Sequence, residues 1–443
     1  MKINLKASLE TWSFRLLCVA AFGAAFSLPL GRSFLALSML LLIIRALRGH
    51  GRIAFPVSAW CWLAFAVIAA LASAFGINPA RSFGKLDKLI WFMGIPVAAT
   101  LATSRLRILA LLRAYIYGSI IQALDILVLR THEAWQACQT IAGEGGKPDL
   151  WWEIIDRGSM THGQSLGVAL AALAGLLIIA SRQYEKGYHH RVIQSLPIAD
   201  HPPVRRFTGW VMAAVLTAAL VINFKRGSWA AAALVTAALL ALSGRWKRIA
   251  ILAAAAVALT ALPPVQQRLM ALRDELTLGH GGRLVMWTRI APTLIRENPF
   301  GIGFRAMDEA LMQETASRLD VRVEEKRNHL HSNILQVIVS TGWAGLAVYL
   351  IWMGRALYLG IRPSIRHRPR GRERSRQQHN LPYTRKEGGQ PREPLLSLTL
   401  GMMLLVLVLN GLVEYNFADG ELVLIYGILL GMLERQRLKP SDL

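Results

Sequence analysis

Apolar runs long enough to cross a bilayer recur near residues 13–30, 34–48, 56–76, 89–104, 107–129, 162–181, 207–224, 228–243, 248–264, 333–360, 394–413 and 420–433. A spanning helix needs ~20 mainly apolar residues, and runs of this length between short polar breaks are the pattern of consecutive helices. The pattern predicts an all-α polytopic membrane protein with about twelve transmembrane helices. The chain then divides into helices one to nine over 1–264, a helical extramembrane loop over 265–332 and helix ten over 333–360. A basic loop over 361–393 precedes helices eleven and twelve with their tail over 394–443.

Composition agrees. Of 443 residues 54% are apolar and 17% charged, against ~45–50% and about a quarter in soluble chains. A soluble multidomain enzyme and a single-span receptor are both excluded. Lys+Arg 50 against Asp+Glu 27 gives a net charge of +23, which in a polytopic protein reports topology before it reports a nucleic-acid partner. The positives gather in alternate loops: Arg45/Arg48/Arg52, Arg105/Arg107, Arg182 to Arg206, Arg245/Lys247/Arg248 and 361–393. Glu133, Glu144, Asp149, Glu153 and Asp156 mark the opposite side, with Glu414, Asp419 and Glu421 in the last hairpin. Both termini are therefore expected in the cytoplasm, and nucleic acid is not an expected partner.

The two long extramembrane segments differ in kind. Loop 361–393 holds ten Lys/Arg and three Asp/Glu among Pro, Gly and few apolar residues, so it reads as a flexible cytoplasmic loop against anionic membrane lipids. Segment 265–332 holds ten Lys/Arg and nine Asp/Glu and keeps helical periodicity around Leu284, Trp287, Ile290 and Ile295. Asn298, Pro299, Gly301 and Gly303 then break the chain before a second helical stretch from about Met307 to Leu319. It reads as a folded, outward-facing loop. Cys18, Cys61 and Cys138 make an odd, scattered set without disulfide or metal spacing.

Candidate chemistry lies where positive charge departs from the topology rule. Lys225 and Arg226 occupy the outward turn Lys225-Arg226-Gly227-Ser228 that opens a span. A helix start with free N–H groups, a guanidinium fork, a glycine and Ser228 as a cap makes an anion site; the competing reading is an arginine reaching to head groups. Asn328-His329-Leu330-His331-Ser332-Asn333 stands before another outward helix start, where Ser332 or Asn333 would cap. There the helix end and nearby arginines favour neutral imidazole and a base. A metal pair or a purely structural pair are the alternatives, and no carboxylate stands at ligand spacing. Two residues apart, the histidines are expected to point different ways. Gly281-Gly282-Arg283 offers a second arginine at a helix entry, with Arg289, Arg296 and Arg305 as partners for Glu297, Asp308 or Glu309. Lys85 and Lys88, one helical turn apart before a span, would hold a lipid phosphate or reach to head groups. Gly427 and Gly431 read as close helix packing.

In order and sidedness, the Arg226-Gly227 turn, Gly282-Arg283 followed by Trp287, Asn298-Pro299-x-Gly301-x-Gly303-Phe304 and His329-x-His331 resemble the O-antigen ligase and polymerase superfamily of bacterial envelope glycosyltransferases. The shared motifs cover roughly 220–350. The resemblance implies an inverting, metal-independent transfer of a glycan from undecaprenyl diphosphate at the periplasmic face of the inner membrane, with no cofactor. The acceptor is a lipid A-core sugar in the ligases, another lipid-linked repeat in the polymerases and a protein hydroxyl in a sister group. By position Arg226 and Arg283 match the arginines that hold the donor diphosphate, with Lys85 and Lys88 as further candidates. The histidine motif matches the proposed base, with His331 preferred to His329 because it is nearer the helix start. Ligase is preferred to polymerase, since the chain has one dominant loop on that side. From another class, a lipid-linked glycan transporter would need ionisable groups at mid-span, and Asp125 is the exception that offers one.

Overall fold

The computed structural model describes residues 5–144, 150, 154, 159–185, 202–275, 277, 282–324, 327–366 and 394–438. Residues 367–393 of the expected basic loop, most of the expected loop between Arg182 and Arg206, Gly281, and Asp149, Glu153 and Asp156 lie outside them. Regular structure in the described residues is helical, and seven helices are long and apolar enough to cross a membrane. These are Ala7–Phe26, Leu28–Leu47, Val57–Ala74, Arg105–Gly143, Thr161–Ser181, Asn333–Pro363 and Pro394–Val413; Phe207–Ile222 and Arg226–Leu242 are shorter apolar helices.

We number the helices α1 (Leu5–Phe26), α2 (Leu28–Leu47), α3 (Val57–Ala74), α4 (Gly94–Leu101), α5 (Arg105–Gly143) and α6 (Met160–Glu185). Then come α7 (Pro202–Ile222), α8 (Arg226–Leu242), α9 (Trp246–Thr260) and α10 (Pro263–Glu275). The run 283–297 is α11, with a π-turn at Met286–Ile290. It is followed by α12 (Glu309–Arg318), α13 (Asn333–Arg366), α14 (Pro394–Val413) and α15 (Gly420–Arg435).

Several expected spans change shape. The run 89–104 is a string of short turns, Asp87–Ile90, Trp91–Met93 and α4, because Gly94 and Pro96 interrupt it while it packs against α15. Gly427 makes that approach possible: a Cβ there would stand 3.3 Å from Gly94 Cα, and one on Gly431 would stand 2.5 Å from the Ile95 carbonyl oxygen. The run 107–129 continues through a π-turn at Asp125–Arg130, where Arg130 Nε pairs with Asp125 at 3.2 Å. The mid-span carboxylate therefore has a charged partner within the same helix.

The core is built around α14 and α15. Every residue of Gly420–Glu434 except Glu421 is buried, and α6, α8 and α13 pack against α14 while α4 packs against α15. By contrast α9 buries no residue and touches α8 and α10. Charged residues separate to the two ends of the bundle. At one end Arg45 and Arg107 pair with Glu10, and Arg355 pairs with Glu434, which also accepts from Ser58. The other end carries Arg226, Arg283, both histidines and Glu414.

The segment between α10 and α13 is folded on its own small core of Val285, Met286, Ile290, Leu294, Met312 and Leu330. Its two helices lie where periodicity placed them. Gly301 and Gly303 adopt φ of 94° and 109°, a region open to glycine, and the turn they make docks on α13. Ile302 N–H donates to Val339 O at 2.8 Å and Gly303 N–H to Ser340 O at 3.1 Å, beside a break in α13 at Gly342, φ 68°. The break frees carbonyls that an unbroken helix would use internally, and the loop supplies their donors. Two of the expected acidic partners pair elsewhere: Glu297 with Arg318 and Asp308 with Arg81.

Candidate active site

Arg226 opens α8 after the turn Asn223–Lys225, with Lys225 in the capping position and no side-chain cap. Ser228 is buried and its hydroxyl accepts from Asn410 Nδ2 at 2.9 Å, so it ties α8 to α14 instead of capping. The helix-start anion reading therefore rests on the arginine and the backbone, without the hydroxyl. The Arg226 guanidinium pairs with Glu275 at the end of α10. Arg283, at the start of α11, reaches the same carboxylate, Nε to Oε2 at 3.1 Å. Gly282 permits this approach, since a Cβ there would stand 2.8 Å from Glu275 Cα. The two arginines expected from the sequence thus share one carboxylate, which belongs to neither motif.

A second unanticipated carboxylate joins Arg283 to the histidines. Glu414, 5% exposed, accepts from Arg283 Nη2 through Oε1 and from His331 Nδ1 through Oε2 at 2.9 Å. Arg283 Nη1 also donates to Val413 O at 2.6 Å. On the other ring nitrogen, Arg327 Nη1 stands 2.8 Å from His331 Nε2. An arginine only donates, so Nε2 is an acceptor, Nδ1 carries the proton, and His331 is a neutral imidazole. Burial pushes Glu414 up, but the His331 hydrogen bond and the charge of Arg283 outweigh it and hold its carboxyl below the ordinary range.

Local sequence explains how the histidines are held. Trp287, one turn after Arg283, donates from Nε1 to Leu330 O at 2.7 Å, and Leu330 N–H donates to Gln336 Oε1 at 2.9 Å. Leu330 is fully buried between the two histidines. His331 then takes φ of 48°, a left-handed conformation that costs a non-glycine residue free energy and is held by its surroundings. The consequence corrects the expectation that the rings diverge. Their centroids lie 4.1 Å apart with planes at 41°, because the positive φ removes the alternation that an extended segment would impose. His329 is pushed down from its ordinary 6.5 to about 3, by burial first, with the Arg305 and Arg327 guanidiniums acting in the same direction. The expected cap at Asn333 is also replaced: its Oδ1 accepts from Asn416 N–H at 2.8 Å and Phe417 N–H at 3.1 Å, so it clamps the α14–α15 hairpin that carries Glu414.

His329, His331 and Glu414 present ligand atoms within 4.8 Å of one another, the carboxylate that the sequence spacing did not offer a metal. The surroundings oppose a dication. Both His331 nitrogens are hydrogen-bonded, and Arg283 and Arg327 bring positive charge into contact with Glu414 and His331.

Lys85 and Lys88 stand elsewhere. The charges that Lys88 meets are those of Arg305, Asp419, Lys85 and Asp87, whereas Arg226 and Arg283 meet Glu275 and Glu414. The six expected residues therefore fall into two sets with different charged partners, and the Tyr415 ring lies 6.2 Å from that of His329. No curated protein matches the chain. Residues 211–350 match the family described as O-antigen ligase, a stretch that contains Arg226, Arg283, Trp287 and both histidines. Over that stretch the chain is similar to the O-antigen ligase family.

Proposed function

We propose that the protein is an inverting, metal-independent glycosyltransferase that moves an O-antigen polysaccharide from undecaprenyl diphosphate to a lipid A-core acceptor, at the periplasmic face of the bacterial inner membrane. One observation carries the reading: Glu414 holds an imidazole with one oxygen and a diphosphate-class arginine with the other. Base and leaving-group site are thereby fixed to a single buried anchor.

The chemistry follows from the residues. The acceptor hydroxyl replaces Arg327 as the donor to His331 Nε2 and gives up its proton there. Its oxygen forms a bond to the anomeric carbon from the face opposite the diphosphate. The bond from that carbon to the diphosphate oxygen breaks, and the electron pair leaves with the diphosphate. Glu414 stabilises the imidazolium that results, as a carboxylate at Nδ1 does in other dyads. Arg226 and Arg283 offer guanidinium forks to the departing diphosphate, with Glu275 as the carboxylate it displaces. A diphosphate is already a good leaving group, so charge neutralisation and orientation are what remain to be supplied.

The deciding experiment is reconstitution of the full chain in vesicles with lipid-diphosphate-linked glycan and core lipid. Formation of glycan-bearing core lipid supports ligation. Lengthening of the lipid-linked glycan without transfer to core lipid would make the protein a polymerase of the same superfamily.

A further inference from the structure

A second group of charged side chains adjoins the histidines on the side away from Arg226 and Arg283. The hairpin residues 415–421 connect it to the site. Tyr415 lies beside His329, and the Arg305 guanidinium carbon sits 5.5 Å over the Tyr415 ring while Nη1 donates to Ala418 O at 2.7 Å. Arg305 holds φ of 53°, so its backbone is bent to bring it there. Lys88 meets the charges of Arg305 and Asp419, and Asp419 accepts from Thr161 Oγ1 at 2.8 Å. Beyond Gly420, Glu421 meets the charges of Arg130 and Arg32.

Arg32 is the informative member. Its guanidinium lies 4.9 Å over Trp91 and so close to Gly420 that a Cβ there would stand 2.4 Å from Nη2. Among the described residues the side chains of Arg32 and Lys88 make no hydrogen bond or ion pair, and Arg32 Nε and His162 Nδ1 are buried without a partner. Donors left unmet in a half-buried place cost free energy, and Lys88 and Arg305 repel one another. An anionic group would relieve both. Trp91 and Tyr415 offer ring faces, and Asp419 and Glu421 offer acceptors, which suit the apolar faces and hydroxyls of sugars around such a group.

Contacts link Arg226, Glu275, Arg283, Glu414, His331, His329, Tyr415 and Arg305 in turn, and Lys88 feels the charge of Arg305. An inverting displacement brings the acceptor to the anomeric carbon opposite the leaving group, so the acceptor belongs beyond the base from the diphosphate arginines. We propose that Arg32, Lys88 and Arg305 bind a phosphate group borne by the sugars of the acceptor glycolipid. The inference rests on the transferase reading above, and it moves Lys88 from the donor set to the acceptor set.

The test uses the reconstituted full chain with a core glycolipid carrying sugar phosphates and the same glycolipid dephosphorylated. Wild-type KM should rise about tenfold or more on dephosphorylation, the scale of one charge-assisted contact. Lys88→Met and Arg32→Gln should raise KM by a similar factor on the phosphorylated acceptor and little on the dephosphorylated one, with donor Kd unmoved and Lys88→Arg partly restoring affinity. Equal KM increases on both acceptors, or unchanged KM on both, would overturn the proposal. A weakened donor Kd in Lys88→Met would return the lysine to the diphosphate. Donor affinity retained in Arg226→Ala would instead defeat the transferase reading of the arginines, a result separable from the acceptor pattern.

Discussion

Glu414 and His331 lie 83 residues apart in the chain and meet through a 2.9 Å hydrogen bond from Nδ1 to Oε2. The bond fixes the tautomer and turns Nε2 toward Arg327, so which nitrogen is left as a hydrogen-bond acceptor is set by a residue from the last hairpin. His329 has no comparable anchor; its Nδ1 meets the neighbouring Asn328 side chain.

From this difference we expect His331→Ala to abolish transfer with donor binding retained, and His329→Ala to leave a residual rate. Glu414→Gln should lower the single-turnover rate by about a hundredfold or more, within the range of a general base. Single-turnover transfer measured beside donor affinity checks all three. An inactive His329→Ala with an active His331→Ala would reverse the assignment.

The shared carboxylate Glu275 leads to a second expectation. Arg226→Ala and Arg283→Ala should each remove most donor affinity, and Arg→Lys should restore it only in part, because an ammonium lacks the bidentate fork. Glu275→Gln should tighten donor binding by removing the anion that competes for both arginines, and lower thermal stability by removing the carboxylate that both half-buried guanidiniums share. Titration with a lipid diphosphate and a melting curve test the pair; weaker donor binding in Glu275→Gln would make the carboxylate a positioning group.

Acid stability has a determined sign. His329 is lowered to about 3 in the folded protein, so between its ordinary value near 6.5 and about 3 the unfolded chain binds more protons and acidification favours unfolding. The depressed carboxyl of Glu414 contributes stability that is present above its unfolded value and lost as pH falls through its folded value. Both act in the same direction, and His329 acts first. The melting midpoint of the purified protein should fall between about pH 7 and pH 5, and His329→Gln should flatten that slope. An unchanged slope would remove His329 as its source.

Chelators separate the base from a metal. With Arg283 and Arg327 in contact with the histidine and glutamate ligand atoms, EDTA should leave the transfer rate unchanged. Inactivation reversed by one divalent ion would assign His329, His331 and Glu414 to a metal site.

Much of this arrangement was legible in order and sidedness. Arg226, Arg283 and the histidines announce themselves because each departs from its surroundings within a few residues, and the folded loop shows in its periodicity. Glu275 and Glu414 do not. The first was one acid in a charge-balanced loop and the second a topology mark, and their partners stand 49, 83 and 131 residues away. Pairing over such distances is set by which helices pack together, and single-sequence periodicity carries no record of that. The divergent-ring expectation failed for a local reason, the left-handed φ of His331, which only Trp287, Gln336 and Arg327 acting together explain.

The hydrogen bonds from Ile302 and Gly303 to Val339 and Ser340 make the Asn-Pro-x-Gly-x-Gly turn a substitute for part of a helix that was never completed. Mechanically, the turn and the break in α13 form a welded joint, and Phe304, whose N–H donates to Ser73 Oγ at 3.2 Å, rivets that joint to α3. His331 stands two residues before α13 and Arg305 one residue after Phe304. His331 and Arg305 are thus mounted on the same bracket, which ties the spacing of the imidazole and the guanidinium to the junction of the turn with α13 and α3.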